Sequence, residues 1–184
     1  MAAPTHLYFT DDDDANRLIA TDPFAFLVGF ALDQQITVQQ AFLGPLRIKQ
    51  RVGTLDPKTL AATDLEPVFK EKPAVHRFPG SMARRVQDLA ATVVEEYDGD
   101  AARIWTEARD GADLRARLAA LPGFGEMKVK AVAGVLAKRF DVAAAREFAP
   151  DHHTLGDVDS PQALQDYQAA KRAYKAEQRA KAAR

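Results

Sequence analysis

Residues 118–132 read Leu118-Ala119-Ala120-Leu121-Pro122-Gly123-Phe124-Gly125-Glu126-Met127-Lys128-Val129-Lys130-Ala131-Val132, and this stretch decides the fold. One helix is predicted to end near Leu121 and a second to start near Glu126, with Pro-Gly-Phe-Gly turning the chain between them. Gly123 and Gly125 are expected to take backbone angles that a side chain forbids. They leave amide N–H groups bare at a helix start, where the helix dipole favours an anion. Lys128 and Lys130 follow in the first turns. The pattern predicts a hairpin that holds a phosphate. Two Gly with a Pro and two Lys favour that over a plain helix–helix turn.

Upstream, Asp11–Asp14 precede Ala15-Asn16-Arg17-Leu18-Ile19 and fit the acidic start of a short helix; consecutive carboxylates converge poorly on one metal ion. Asp22 is expected to cap a helix that opens on Pro23. Residues 24–32, Phe24-Ala-Phe-Leu-Val-Gly-Phe-Ala-Leu, are apolar on every face and too short to span a bilayer, so they predict a buried central helix. Phe24, Phe26, Phe30 and Trp105 are assigned to the core. A further helix starts near Thr37, with Pro45 expected to break or kink it. Short helices are predicted around 57–62 and 65–70. Ser81 is expected to cap a helix whose stripe is Met82, Val86, Leu89, Val93 and Tyr97. Helices are read at 101–108, 113–120 and 126–140, and a loop from 141 to 159. Ser160-Pro161 opens a last helix rich in Lys and Arg. No β-type alternation occurs, so the fold class is all-α. The organisation read is a helical domain over 1–158 and a basic C-terminal helix over 159–184.

The chain has 184 residues, enough for one domain with a substantial core. It contains no Cys, which excludes disulfides, Cys-ligated zinc and iron–sulfur clusters; no cofactor and no metal are expected. The net charge is −1 but unevenly spread. Residues 111–140 and 161–184 each hold six Lys/Arg against two acids. A basic face on a nearly neutral chain is therefore expected. No long apolar run and no signal peptide are read, so the expectation is a soluble, cytoplasmic protein, nucleoid-associated when bound to DNA.

Leu121-Pro122-Gly123-Phe124-Gly125 closely resembles the helix–hairpin–helix of the HhH-GPD DNA glycosylases. Leu32-Asp33-Gln34-Gln35-Ile36-Thr37, at the end of the apolar helix, resembles the Gln-containing segment that those enzymes place near the displaced base. The likeness covers roughly residues 20–140 and points to a cluster-free branch. It implies a base-excision repair enzyme that works as a monomer. It would bind duplex DNA carrying a modified base, flip the damaged nucleotide out and hydrolyse the glycosidic bond. The hairpin amides of Gly123 and Gly125, with Lys128 and Lys130, would hold the backbone. Gln35, or else Gln34, would fill the gap left in the stack. His76 and Arg77, a polar pair in an apolar loop, are further candidates for DNA contact.

The resemblance also implies a carboxylate that stabilises the developing oxocarbenium ion and orients water. Asp141 lies too close to the hairpin, and helix capping accounts for Asp157 and Asp159. Asp151, between Pro150 and His152-His153, is the first choice, and Asp33 the second. Lyase members of the family carry a Lys two residues after the second hairpin Gly. Here that residue is Met127, and Lys128 is turned by about 100° from it. The expected activity is therefore that of a glycosylase without lyase chemistry, with Lys128 a phosphate contact. Two other functions fit the sequence. One is a helix–hairpin–helix DNA-binding protein without catalysis. The other is a helical domain whose hairpin meets protein.

Overall fold

The computed structural model describes residues 3–183, which form helices and turns with no strand among them. The fold is all-α. Asp22 joins the first two helices, α1 (Asp13–Thr21) and α2 (Pro23–Leu32). Its backbone N–H closes α1 on Leu18 O, and its carboxylate accepts the N–H groups of Phe24 and Ala25 at the start of α2 (2.9 and 3.0 Å). Every residue of α2 from Phe24 to Leu32 is buried. Phe26 and Phe30 run an edge-to-face aromatic chain through the core. Phe26 meets Trp105 and Phe140, Phe30 meets Phe42, and Phe42 meets Phe9, with centroids 5.0–6.1 Å apart.

Helix α3 (Val38–Val52) packs on α2 and α1. Thr37 and Gln40 build its capping box. Pro45 neither ends nor splits it: the helix runs on to Val52 with Pro45 buried inside, because one missing N–H removes a single rung. Helices α4 (Pro57–Ala62) and α5 (Glu66–Lys70) lie on α6 (Pro79–Tyr97). Ser81 is not the cap of α6. Pro79 pre-sets the first turn, and the Ser81 hydroxyl lies within it, donating to Phe78 O (3.4 Å). Helix α7 is a single turn, Arg103–Thr106, shorter than the expected 101–108.

Helices α8 (Gly111–Ala119) and α9 (Glu126–Arg139) flank the hairpin turn and are tied by Arg115–Glu126 (2.6 Å). The 141–159 segment is more ordered than a loop. It holds α10 (Ala143–Arg146) and a 3-10 turn at Leu155–Asp157, both packed on α9. The Asp157 carboxylate accepts the Thr154 N–H (2.7 Å) and pairs with Lys138 (2.6 Å), so its work is structural. Gly156 sits against the α9 backbone; a Cβ there would lie 2.3 Å from Gly134 O. The last helix, α11 (Pro161–Ala182), packs on this turn; Ser160 caps it and Leu164 anchors it, and residues 169–183 are exposed. Gly156→Ala is expected to cost about 1–3 kcal/mol by forcing α9 and the turn apart. Urea unfolding measures it, and an unchanged midpoint would refute the close-approach account.

Candidate nucleic-acid interface

The hairpin turn is fixed by its own residues. Phe124 N–H donates to Leu121 O (3.1 Å), Pro122 takes the second position and Gly123 the third, with φ 80°; this is type II turn chemistry. Leu121 and Phe124 are buried and anchor it. Gly123 is required by its positive φ, and the Arg85 side chain lies so close that a Cβ would meet it at 2.7–2.8 Å and displace it. Gly125 differs from expectation. It is the N-cap of α9 with φ −77°, and a Cβ there meets only open space, so its backbone does not require glycine. No side chain caps α9.

The carbonyl end of α2 stands beside this turn. Asp33, with φ −71° and ψ 71°, is the centre of an inverse γ-turn closed by Gln34 N–H to Leu32 O (2.7 Å). Side chains from distant elements hold the surrounding carbonyls. Lys128 Nζ donates to Ala31 O (3.3 Å), and His76 Nε2 donates to Leu32 O and Gln34 O (3.1 Å each). Arg85, from α6, donates to Gln34 Oε1 (2.8 Å) while lying over Gly123. Residues 31–35 and the hairpin, about ninety residues apart in sequence, thus form one surface. Gln34 and Gln35 are exposed on it. Gln35 has φ 58°, the left-handed region that a non-glycine residue rarely occupies.

Two of the expected DNA contacts turn inward. His76 is buried, and both ring nitrogens are used: Nδ1 accepts the Phe78 N–H (3.0 Å), which fixes the proton on Nε2. Both nitrogens are thus committed to the backbone, and the ring positions the Asp33 turn. Lys128 is half-buried, lies over the Phe124 ring and caps α2. Burial depresses its amine to about 8, against the pull of Asp33. Arg77 stays exposed, stacked on the Phe78 ring, and Lys130 is exposed beside Glu126. Met127 is 85 % exposed and projects from the hairpin.

A cleft of about 560 Å³ opens next to the Gln pair, lined by Asp33, Gln35, Thr37, Arg77, Lys171 and Lys175 among others. Burial raises the Asp33 carboxyl above its ordinary value, and the cations Lys171, Lys128 and Lys175 oppose that rise. Asp151 is exposed on the bend before the 3-10 turn and does not line this cleft. Its neighbour His153 stacks on Tyr167 of α11, whose hydroxyl burial and Asp33 both push up. A smaller depression of about 270 Å³ lies by the starts of α2 and α4, where Asp22 and Asp56 serve as helix caps. Among the described residues no group of three His, Asp or Glu is placed to hold a metal ion, and no helix is long and apolar enough to cross a membrane.

The sequence marks Lys171 and Lys175 only as part of a basic helix, and it marks neither Arg85 nor the arginines that hold the loop before His76. Arg51 donates to the carbonyls of Val68, Glu71 and Pro73 (2.7–3.0 Å), and Arg47 to Ala74 O (3.2 Å). No local motif marks such residues, because their partners lie elsewhere in the chain. No protein-family model, curated protein or solved structure matches this chain.

The His76 arrangement has a pH signature. Burial, the largest cause, lowers its pKa below the ordinary 6.5, although the carbonyl bonds oppose this. The unfolded chain therefore binds the proton more readily. The stabilising contribution is complete above about pH 6.5 and is lost as pH falls through the lower folded value. His76→Gln is expected to be less stable than the wild type at about pH 7, with the gap in Tm narrowing toward about pH 5. A gap that stays constant over that range would remove His76 from this role.

Proposed function

We propose that the chain is a DNA glycosylase of the helix–hairpin–helix type, which flips a damaged base out of duplex DNA and hydrolyses its glycosidic bond. One observation carries the reading. Arg85 and Lys128 join the hairpin turn to the Asp33–Gln35 turn, so an uncapped helix start, two exposed glutamines and a carboxylate-lined cleft share one face. Such a helix start suits a backbone phosphate. An exposed glutamine suits the gap that a flipped nucleotide leaves, since its amide hydrogen-bonds the widowed base. Gln35 takes that role, and its left-handed backbone is the kind of local strain that collects at functional sites.

Asp33 takes the catalytic role in place of Asp151. It lines the cleft and its pKa is raised by burial, both of which suit a carboxylate that stabilises a developing cation and positions water. One observation favours a second reading, in which the enzyme also cleaves the strand. An amine near 8 beside a carboxylate has the chemistry of a Schiff-base nucleophile. Lys128 is held on Ala31 O, however, and does not line the cleft, which supports hydrolysis alone.

Duplexes carrying uracil, hypoxanthine, alkylated purine or oxidised guanine, scored for alkali-sensitive breaks, test the activity. Release of a base from at least one is expected, with no borohydride-trapped adduct; a strong trapped band would favour Lys128 as nucleophile. Asp33→Asn should lower release by about 10²–10⁴-fold, and Asp151→Asn should leave it intact. Release that survives Asp33→Asn would place the acid elsewhere. Gly123→Val is expected to abolish duplex binding, whereas Gly125→Ala keeps it. Equal binding by both would remove the turn from the interface.

A further inference from the structure

We infer that the C-terminal helix forms a phosphate-binding wall of the cleft, in which Lys171 and Lys175 hold the DNA strand whose displaced nucleotide enters beside Asp33. This rests on the glycosylase reading and extends it to an element that the family likeness does not cover. Helix α11 turns one face to the protein. Leu164, Tyr167, Gln168, Lys171 and Lys175 recur at helical spacings of three and four and so lie on one stripe.

The first three residues of the stripe dock the helix. Leu164 is buried, Tyr167 is half-buried beneath the His153 ring, and Gln168 exchanges amide hydrogen bonds with Gln39 of α3. One turn further on, the same stripe becomes cationic. Lys171 lies over the Tyr167 ring with Nζ 5.8 Å from its centroid, and both lysines line the cleft. A stripe that continues the docking face, yet ends in two lysines over an open cleft, is built for an occupant that is not protein core.

Charge selects the occupant. Lys171, Lys175 and Arg77 outnumber Asp33 three to one among the charged side chains lining the cleft. A neutral or cationic ligand would leave that excess unbalanced, whereas each nucleotide linkage brings one negative charge. The cleft volume of about 560 Å³ falls within the usual range for a small-molecule site, about 300–1,000 Å³. The sugar and base then lie beside Asp33 and Gln35 while the linkage stays at the lysines. Arg172 and Arg179, on the same helix, do not line the cleft.

The test is the salt dependence of binding to a duplex carrying a tetrahydrofuran abasic-site analogue, over roughly 50–200 mM salt. Each phosphate contact contributes about 0.9 to the slope of log affinity against log salt. Lys171→Ala with Lys175→Ala is expected to lower the wild-type slope by about 2. Arg172→Ala with Arg179→Ala removes the same charge and should keep the slope. All four positions are exposed and alanine is the stronger helix former, so folding is not at stake. An unchanged slope for the lysine pair overturns the inference while the wild-type binding leaves the glycosylase reading standing. An equal loss from the arginine pair also overturns it, because diffuse charge then accounts for the attraction. If the wild-type chain shows no salt-dependent duplex binding, both the inference and the reading beneath it fall.

Discussion

A helix buried on every face still ends in carbonyl groups that its own backbone does not satisfy. Helix α2 is that helix, and the treatment of its C-terminal end governs the rest of the site. Such carbonyls need partners, and here other elements of the chain supply them. The Lys128 amine reaches Ala31 O from α9, the His76 imidazole reaches Leu32 O from the loop before α6, and Gln34 folds its own N–H back onto Leu32 O. Each donor brings its element with it. Closing one helix end therefore assembles the hairpin, the His76 loop and the Gln pair on a single face.

The same constraint explains why residues of the expected type do unexpected work. Lys128 and His76 each look like a ligand contact in sequence, because exposed Lys and loop His so often are. The unsatisfied carbonyls of α2 claim both. Groups beside these anchors stay exposed: Arg77 on Phe78, Gln34 held by Arg85, and Gln35 in a left-handed conformation. The anchors also shape the electrostatics, since Lys128 is one of three lysines that act on Asp33.

Local signals carried the legible part of the fold. Asp22 with Pro23, Thr37, and Ser160 with Pro161 mark helix starts in sequence, and Asp22, Thr37 and Ser160 are caps in the structure. The apolar run 24–32 and the hairpin were likewise readable, because their patterns are complete within a short window. Where tertiary packing overrode the local rule, the reading failed. Pro45 stays inside α3, Ser81 yields to Pro79, and Gly125 needs no glycine angle while Gly123 does. Arg85 carries no local signal, and Lys171 and Lys175 are legible only as part of a basic tail. Their meaning comes from Gln34, Gly123 and Asp33, which are 38 to 142 residues away in the chain.

The choice between the two candidate carboxylates turns on environment rather than on motif. Asp151 is an exposed loop acid, and exposure leaves a carboxylate surrounded by water that competes for any cation it faces. Asp33 inherits its surroundings from α2: apolar residues behind it, a γ-turn that fixes its backbone, and lysines from α9 and α11 in front. Burial pushes its pKa up and the lysines pull against that rise. A carboxylate under such opposed influences is partly desolvated on the side of α2 and open to the cleft on the other, which suits contact with charge that develops there. On the proposed reading, the position of the acid follows from the end of the buried helix, in the first third of the chain instead of after the hairpin.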